Sequence, residues 1–330
     1  MGGIRANYHT LADFRVQQES KLDHLLTQGV AALMREGLVD MERTAQDGVR
    51  IRASAGTGSF RKQETLADCL RKAEKRVAEL KEEGKSEENT SLSKGQQASR
   101  ERHARERVER VKQAMKEAAK VEAKKEKNRE LKRKNRPARA STTDPEARVM
   151  KMGDGGFRPA YNGQLNIDMD SRIIVGVDMC NEGDSHELEP MLQQTQERYG
   201  ELMNEHYMDG GYRSNKNITY AGQRDVTVYS PIPESYSVLS KKRPEDILPG
   251  DSPQVVEWKQ RMITEEAKEK YKERASTIEW ANALLRNRGL YRFLVRGIRK
   301  ARAVLLWFAL AHNLMQALNL RSMAKGNAVG

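Results

Sequence analysis

Apolar positions recur along the chain with different periods, and each period predicts a different kind of element. Between Thr10 and Gly37, the residues Leu22, Leu25, Leu26, Val30 and Leu33 fall on one helical stripe. That predicts two helices over 10–37, with Thr10 as an N-cap and Gly37 as the stop. Residues 41–53, MERTAQDGVRIRA, read as strand and turn around the Asp-Gly pair. From Glu64 to Glu83, Leu66, Leu70, Ala73, Val77 and Leu80 return about every 3.5 residues, the spacing of a helix with one packing seam. The stretch GKSEENTSLSKG interrupts this pattern. A thinner stripe of Ala104, Val108, Val111, Met115 and Ala118 follows within 97–135 and stops before Pro137, so the two arms predict a helical hairpin.

Past Pro137 the period shortens. Two strand-like runs, Tyr161–Ile167 and Arg172–Met179, are joined by a turn at Asp168–Ser171, and GDGG at 153–156 reads as a hairpin turn. A helical segment, HELEPMLQQTQERYGELMNEH, leads to a short piece ending in YMDGGY and then to the strand candidate VTVYSPIP. One long amphipathic helix is expected over 254–286 and another from about Leu290 to Leu320. The order predicts an α/β fold, a mixed sheet covered by helices. The apolar run AVLLWFALA is far shorter than the ~20 residues of a membrane span, so a buried helix and no membrane association are expected. Trp280 and Trp307 read as core.

Charge changes this picture in one segment. The chain carries 59 Lys and Arg against 47 Asp and Glu, net +12. Residues 61–140 hold 26 of those bases and 15 of those acids, so nearly all of the excess lies in the hairpin. A polyanion such as nucleic acid is the partner such clustering suits, while a merely solvated charged helix gives the same count. Cys69 and Cys180 stand far apart with no CxxC or Cys/His spacing. That argues against a disulfide framework and a zinc site and fits a reducing cytoplasm.

With neither a nucleophile elbow nor a P-loop in the sequence, carboxylates are the chemistry to weigh. Asp47 lies in QDGVRIRA, Asp209 in MDGGY and Glu279 in the helix YKERASTIEWANALLR. Acids at strand ends and on a helix are what two Mg²⁺ ions about 3.5–4 Å apart require, because oxygen ligands must bridge and flank them. Asp-Gly pairs more often close turns, and spacing alone leaves that reading open. Tyr271, Arg274, Glu279 and Arg286 add hydroxyl, base, acid and base to one helix, with Glu279 and Arg286 on one face. Phosphate contacts beside a metal ligand would use that array, and so would an ordinary surface helix. Asp178 is a second candidate for the first acid. His186 and His206 lack ligand spacing.

The segment YKERASTIEWANALLRNRGL resembles the Y-R-E-K signature of the DDE transposases of bacterial insertion sequences, with Arg286 in place of the Lys. Four residues separate Arg274 from Glu279, where many relatives have three. QDGVRIRASAGTGSFRKQETL, STTDPEARVMKMGDGGFRPAYNGQ, MDGGY, NYHTLADFR and RKARAVLLWFALAHNL are similar to the same family, so the resemblance spans nearly the whole chain. It implies a ribonuclease-H-like mixed sheet flanked by helices, with the first acid on the first strand, the second after the fourth and the Glu on a later helix. By that resemblance Asp47, Asp209 and Glu279 are catalytic metal ligands, and Tyr271, Arg274 and Arg286 contact DNA or position the Glu. It further implies two Mg²⁺, replaceable by Mn²⁺, and double-stranded DNA as partner, both element terminal repeats and target. A homo-oligomer on DNA in the cytoplasm, cleavage of element ends and strand transfer complete the expectation. The catalytic domain would comprise 41–60 and 141–330, the basic hairpin 61–140 would be an insertion, and 1–40 would be the residue of a larger N-terminal region. The alternative is a truncated, inactive remnant that only binds DNA or self-associates.

Overall fold

The computed structural model describes residues 7–84, 93–127, 137–233 and 246–327. The chain divides into two units, one of Met1–Ile51, Asn162–Arg292 and Arg299–Gly330, the other of Arg52–Tyr161 and Phe293–Ile298.

The first unit opens with α1 (Tyr8–Gln17) and α2 (Glu19–Arg35). Thr10 lies inside α1 and caps nothing, and Leu25 is half exposed, so the buried stripe of α2 narrows to Leu22, Leu26, Val30 and Leu33. Gly37 does stop α2. At φ 68° it lets its own N–H reach Met34 O (2.9 Å) and that of Leu38 reach Leu33 O (3.0 Å), closing the last turn.

Strand β1 (Arg43–Arg52) runs straight through Asp47 and Gly48, so the expected turn there is absent. Gly48 is needed for space instead: a Cβ would overlap Asp184 Oδ1 and stand 2.6 Å from Asn162 Oδ1. Ladder bonds hold the backbone extended. On one side β1 pairs in parallel with β7 (Glu205–Met208), and β7 pairs in parallel with β8 (Thr227–Tyr229). On its other side lies β5 (Phe157–Asp168), whose residues 162–167 pair antiparallel with β6 (Ile174–Cys180). The order β6-β5-β1-β7-β8 is a mixed sheet flanked by helices, compatible with a ribonuclease-H-like fold. The β5–β6 turn is fixed by Asp168, whose Oδ1 accepts the Ser171 N–H at 2.7 Å.

The helices of this unit are α5 (Leu188–Tyr199), α6 (Asn215–Gly222), α7 (Pro253–Met262), α8 (Glu265–Asn287) and α9 (Ile298–Asn327). The single helix expected over 254–286 is two. It breaks at Ile263–Thr264, where Thr264 Oγ1 accepts the Ala267 N–H (3.2 Å) and caps α8. The last helix starts at Ile298 rather than near Leu290, because Gly289 and Gly297 take φ of 97° and 90° and hold the intervening chain out of the helix.

Helix α9 extends well past the apolar run, and over Ile298–Ala324 it is long and apolar enough to cross a membrane. Its inner face carries Ala301, Leu305, Leu306 and Ala309, and also polar groups tied to β5–β6. The Asn313 amide accepts from Ile174 N–H and donates to Ile174 O, both at 2.8 Å, and His312 Nε2 lies 2.9 Å from Arg172 O. Arg302 pairs with Asp23 at 2.6 Å and Asp178 at 3.1 Å. Trp280 and Trp307 are only partly buried. The first has the Arg172 guanidinium 4.8 Å from its ring, and the second sits 6.0 Å from Phe14.

In the second unit α3 (Gln63–Glu83) packs on α4 (Lys94–Lys127). Leu66 closes against Ala114, Ala118 and Ala140, and the charges point outward. One exception is Glu117, buried between Arg148 (2.5 Å) and Lys120 (2.7 Å). The expected turn at 85–92 and the basic end of the second arm at 128–136 lie outside the described residues. Strand β2 (Phe60–Arg61) pairs with β3 (Ala140–Ser141), and β4 (Arg148–Lys151) with the first residues of β5. The GDGG stretch is the β4–β5 turn, with Gly155 at φ 79° and Met152 N–H donating to Gly156 O at 2.7 Å.

Candidate active site

The parallel register aligns Gln46 of β1 with Met208 of β7. Asp47 and Asp209, the next residue on each strand's path, therefore emerge side by side. Helix α8 covers Asp47: Arg274 Nη2 is 3.1 Å from Oδ1, and Asn282 Nδ2 donates to Oδ2 at 3.1 Å. Burial raises the Asp47 carboxyl above the usual carboxylate range, and Asp209 and Asp184 push it the same way against Arg274 and the Gly48 N–H. Asp209 Oδ1 accepts the Gly211 N–H at 2.7 Å. Tyr271, one turn before Arg274, keeps its proton because burial, then Asp209 and Asp47, outweigh Arg274.

Successive strand residues face opposite ways, so Gly48 looks to the other side of β1. There lies a fully buried polar network. His206 Nδ1 meets Thr44 Oγ1 at 2.9 Å and Nε2 meets Gln46 Oε1 at 3.3 Å. Burial, helped by Arg274, pulls this imidazole down to about 3, so it is neutral. Gln46 Nε2 donates to Gln164 Oε1 at 3.1 Å, the same oxygen that takes the Tyr212 hydroxyl. Gln164 Nε2 and Asn162 Nδ2 donate to Asp184 Oδ1 at 3.0 and 2.7 Å.

Of the residues singled out in the sequence, Asp47, Asp209, Tyr271 and Arg274 come together. Glu279 and Arg286 lie exposed on α8, and the Glu279 side chain makes no hydrogen bond or ion pair among the described residues. Asp178 is tied to Arg302, and His186 is exposed. Among the described residues no three His, Cys, Asp or Glu side chains form a ready metal cluster. Asp184, Asn162, Gln164 and Asn282 escaped the sequence reading. The first three had a signal: Asn162, Gln164 and Asn166 alternate with apolar residues on a strand buried on both faces, where polar side chains need a reason to stay. The neighbouring Asp47 and Asp209 carboxylates, the first disfavoured as an anion by burial and then by like charge, do fit a divalent cation with oxygen ligands.

A family model described as Transposase DDE domain matches residues 251–318, from α7 through most of α9. No curated protein and no solved structure matches the chain. The match supports a DDE transposase family and transposition-related nuclease chemistry, with DNA as the general partner and the divalent metals such domains generally use. It takes in Tyr271, Arg274, Glu279 and Arg286, while Asp47 and Asp209 lie outside it.

Proposed function

We propose that the chain is the transposase of a bacterial insertion sequence, of the Y-R-E-K type, built on a ribonuclease-H-like domain of 41–60 and 141–330. It nicks a phosphodiester at an element end and joins the freed 3′-hydroxyl to target DNA. The observation that carries this reading is the pairing of Asp47 with Asp209, tied through Arg274 to the helix that the transposase model matches. Mg²⁺, two ions with Mn²⁺ able to replace them, supplies activation of the attacking hydroxyl and charge for the leaving oxygen. Asp47 and Asp209 hold the cations, with Glu279 of α8 as the third carboxylate. Arg274 aims Asp47 and favours its ionised form against the burial that opposes it. Tyr271, still protonated, donates to a phosphate oxygen, and the exposed Arg286 meets the DNA backbone. The basic hairpin 61–140, inserted after β1, draws in terminal-repeat and target DNA, on which copies of the chain assemble in the cytoplasm, at the nucleoid.

The isolation of Glu279 favours a second reading, a DNA-binding remnant without catalysis. Nicking of a labelled duplex carrying the element's terminal repeat separates the two. Metal-dependent nicking that disappears in Asp209→Ala and Glu279→Ala supports the enzyme. Binding without nicking by the folded chain supports the remnant, and either reading predicts that affinity drops by about 10³ or more between 50 and 200 mM salt.

A further inference from the structure

The β1–β7 register sets Asp47 beside Asp209, and the β7–β8 register, which aligns Tyr207 with Tyr229, carries the row on to the chain leaving β8. There Ser230 Oγ donates to Asp209 O at 3.2 Å, and Pro231 O accepts from Arg213 Nη1 at 2.6 Å. Arg213 is held in place from both sides. Tyr212 is fully buried with its hydroxyl on Gln164, and Ser214 caps α6 by accepting the Asn217 N–H at 3.1 Å. A Cβ on Gly210, the neighbour of Asp209, would stand 3.7 Å from Arg213 Nη1. The guanidinium therefore lies against the Asp209 turn, on the β8 side, with Asp47 on the other.

Arg213 is half-buried, and among the described residues its partner is a carbonyl and not an acid. The other arginines shielded to that degree are matched. Arg43, Arg148, Arg198, Arg261, Arg274 and Arg302 each meet a carboxylate, as do Arg110 and Arg158, and Arg172 lies over the Trp280 ring. Burial disfavours the charge of Arg213, and the field of Asp209 supports it. One neutral acceptor uses one of five N–H donors and leaves the charge unmatched, a cost that an anion from outside removes. The planar fork suits two oxygens of one phosphate.

We propose that Arg213 grips a phosphodiester of the bound DNA strand on the β8 side of Asp209, holding that strand against the acids. This rests on DNA being the partner and on Asp209 belonging to the site that meets it. The two acids repel a phosphate until cations cover them, whereas Arg213 attracts one from the start.

The test is binding of the full chain to the terminal-repeat duplex over a series of salt concentrations. Arg213→Gln weakens binding by about tenfold at low salt and lowers the slope of log affinity against log salt by about 1. Arg213→Lys keeps the wild-type slope and binds less tightly than wild type, because charge survives and the fork does not. Arg224→Gln removes the same charge beyond the far end of α6 and leaves both affinity and slope unchanged. A role confined to tying down Pro231 would lower the melting temperature of Arg213→Gln and leave its slope at the wild-type value, which overturns the proposal. An equal loss in Arg224→Gln overturns it too, since any positive charge would then serve. If Arg213→Gln does not fold, Arg213→Lys decides, and wild-type affinity in that variant overturns the grip. Any of these results with wild-type binding and nicking intact leaves the transposase reading standing. A wild-type chain that does not bind the duplex removes both.

Discussion

Polar residues play opposite parts in the two units. In the first, Thr44, Gln46, Gln164 and His206 are fully buried on the central strands and bonded to one another, and the buried Asn162 joins Gln164 through their shared acceptor Asp184. In the second, α3 and α4 hold their polar groups outward in local pairs such as Arg76–Glu79 and Arg105–Glu101, around a thin seam of Leu and Ala. Burying polar groups is costly unless each is satisfied, so an interior network in a sheet marks a site whose shape matters group by group. The charge of a solvated helix pair acts instead as a summed field, in which single members count for little. Position is specified in one unit and only sign and density in the other.

The sharpest way to break this contrast is to attack each unit at the wrong kind of residue. Leu66 is fully buried in the seam, and Leu66→Ala is expected to cost about 3 kcal/mol in urea unfolding of the chain. Arg76→Ala, which removes a surface ion-pair partner, leaves the melting temperature unchanged. Equal effects from the two would mean that the ion pairs along α3 matter to stability as much as the seam does. In the sheet the polar substitution is the damaging one. Gln164→Leu strands the Tyr212 hydroxyl and takes a donor from Asp184, for a cost of about 2 kcal/mol. A neutral outcome by denaturant titration would show the network to be dispensable.

The same contrast explains what the sequence could show. The strands β5 and β6, the stop at Gly37 and the seam residues Leu66, Ala73 and Leu80 were legible because periodic burial writes itself into the order of apolar residues. Asp47 and Asp209 could be named but not related, since their adjacency depends on the parallel register of β1 with β7, which joins residues 160 or more apart. The turn at Asp47–Gly48 was misread because Asp-Gly is ordinary turn chemistry. Gly48 answers to Asp184 and Asn162 instead, side chains far along the chain. The break between α7 and α8 lay hidden because apolar spacing continues across it, and only the Thr264 cap betrays it. Asp184 was invisible for a further reason: its turn carries no periodic pattern at all.

The smallest expected effect concerns the rim of that turn. Burial, and to a lesser degree Asp178, Glu182 and Asp184, raise Glu187 from the usual 4.5 to about 6. Between those values the folded chain holds a proton that the unfolded chain has released, so this residue's contribution to stability falls as pH rises through that window. The fully buried His206 runs the other way. Its value drops from 6.5 to about 3, and the unfolded chain gains protons on it as the pH falls below 6.5, favouring unfolding. Over 4.5 to 6 the two slopes oppose each other, and Glu187→Gln removes one of them. The variant should therefore be slightly more stable than wild type at pH 7 and equal to it at pH 4, measured by chemical unfolding at both. A gain that persists at pH 4 would show that the improvement comes from packing and not from charge. That would detach Glu187 from the acidic crowd around Asp184.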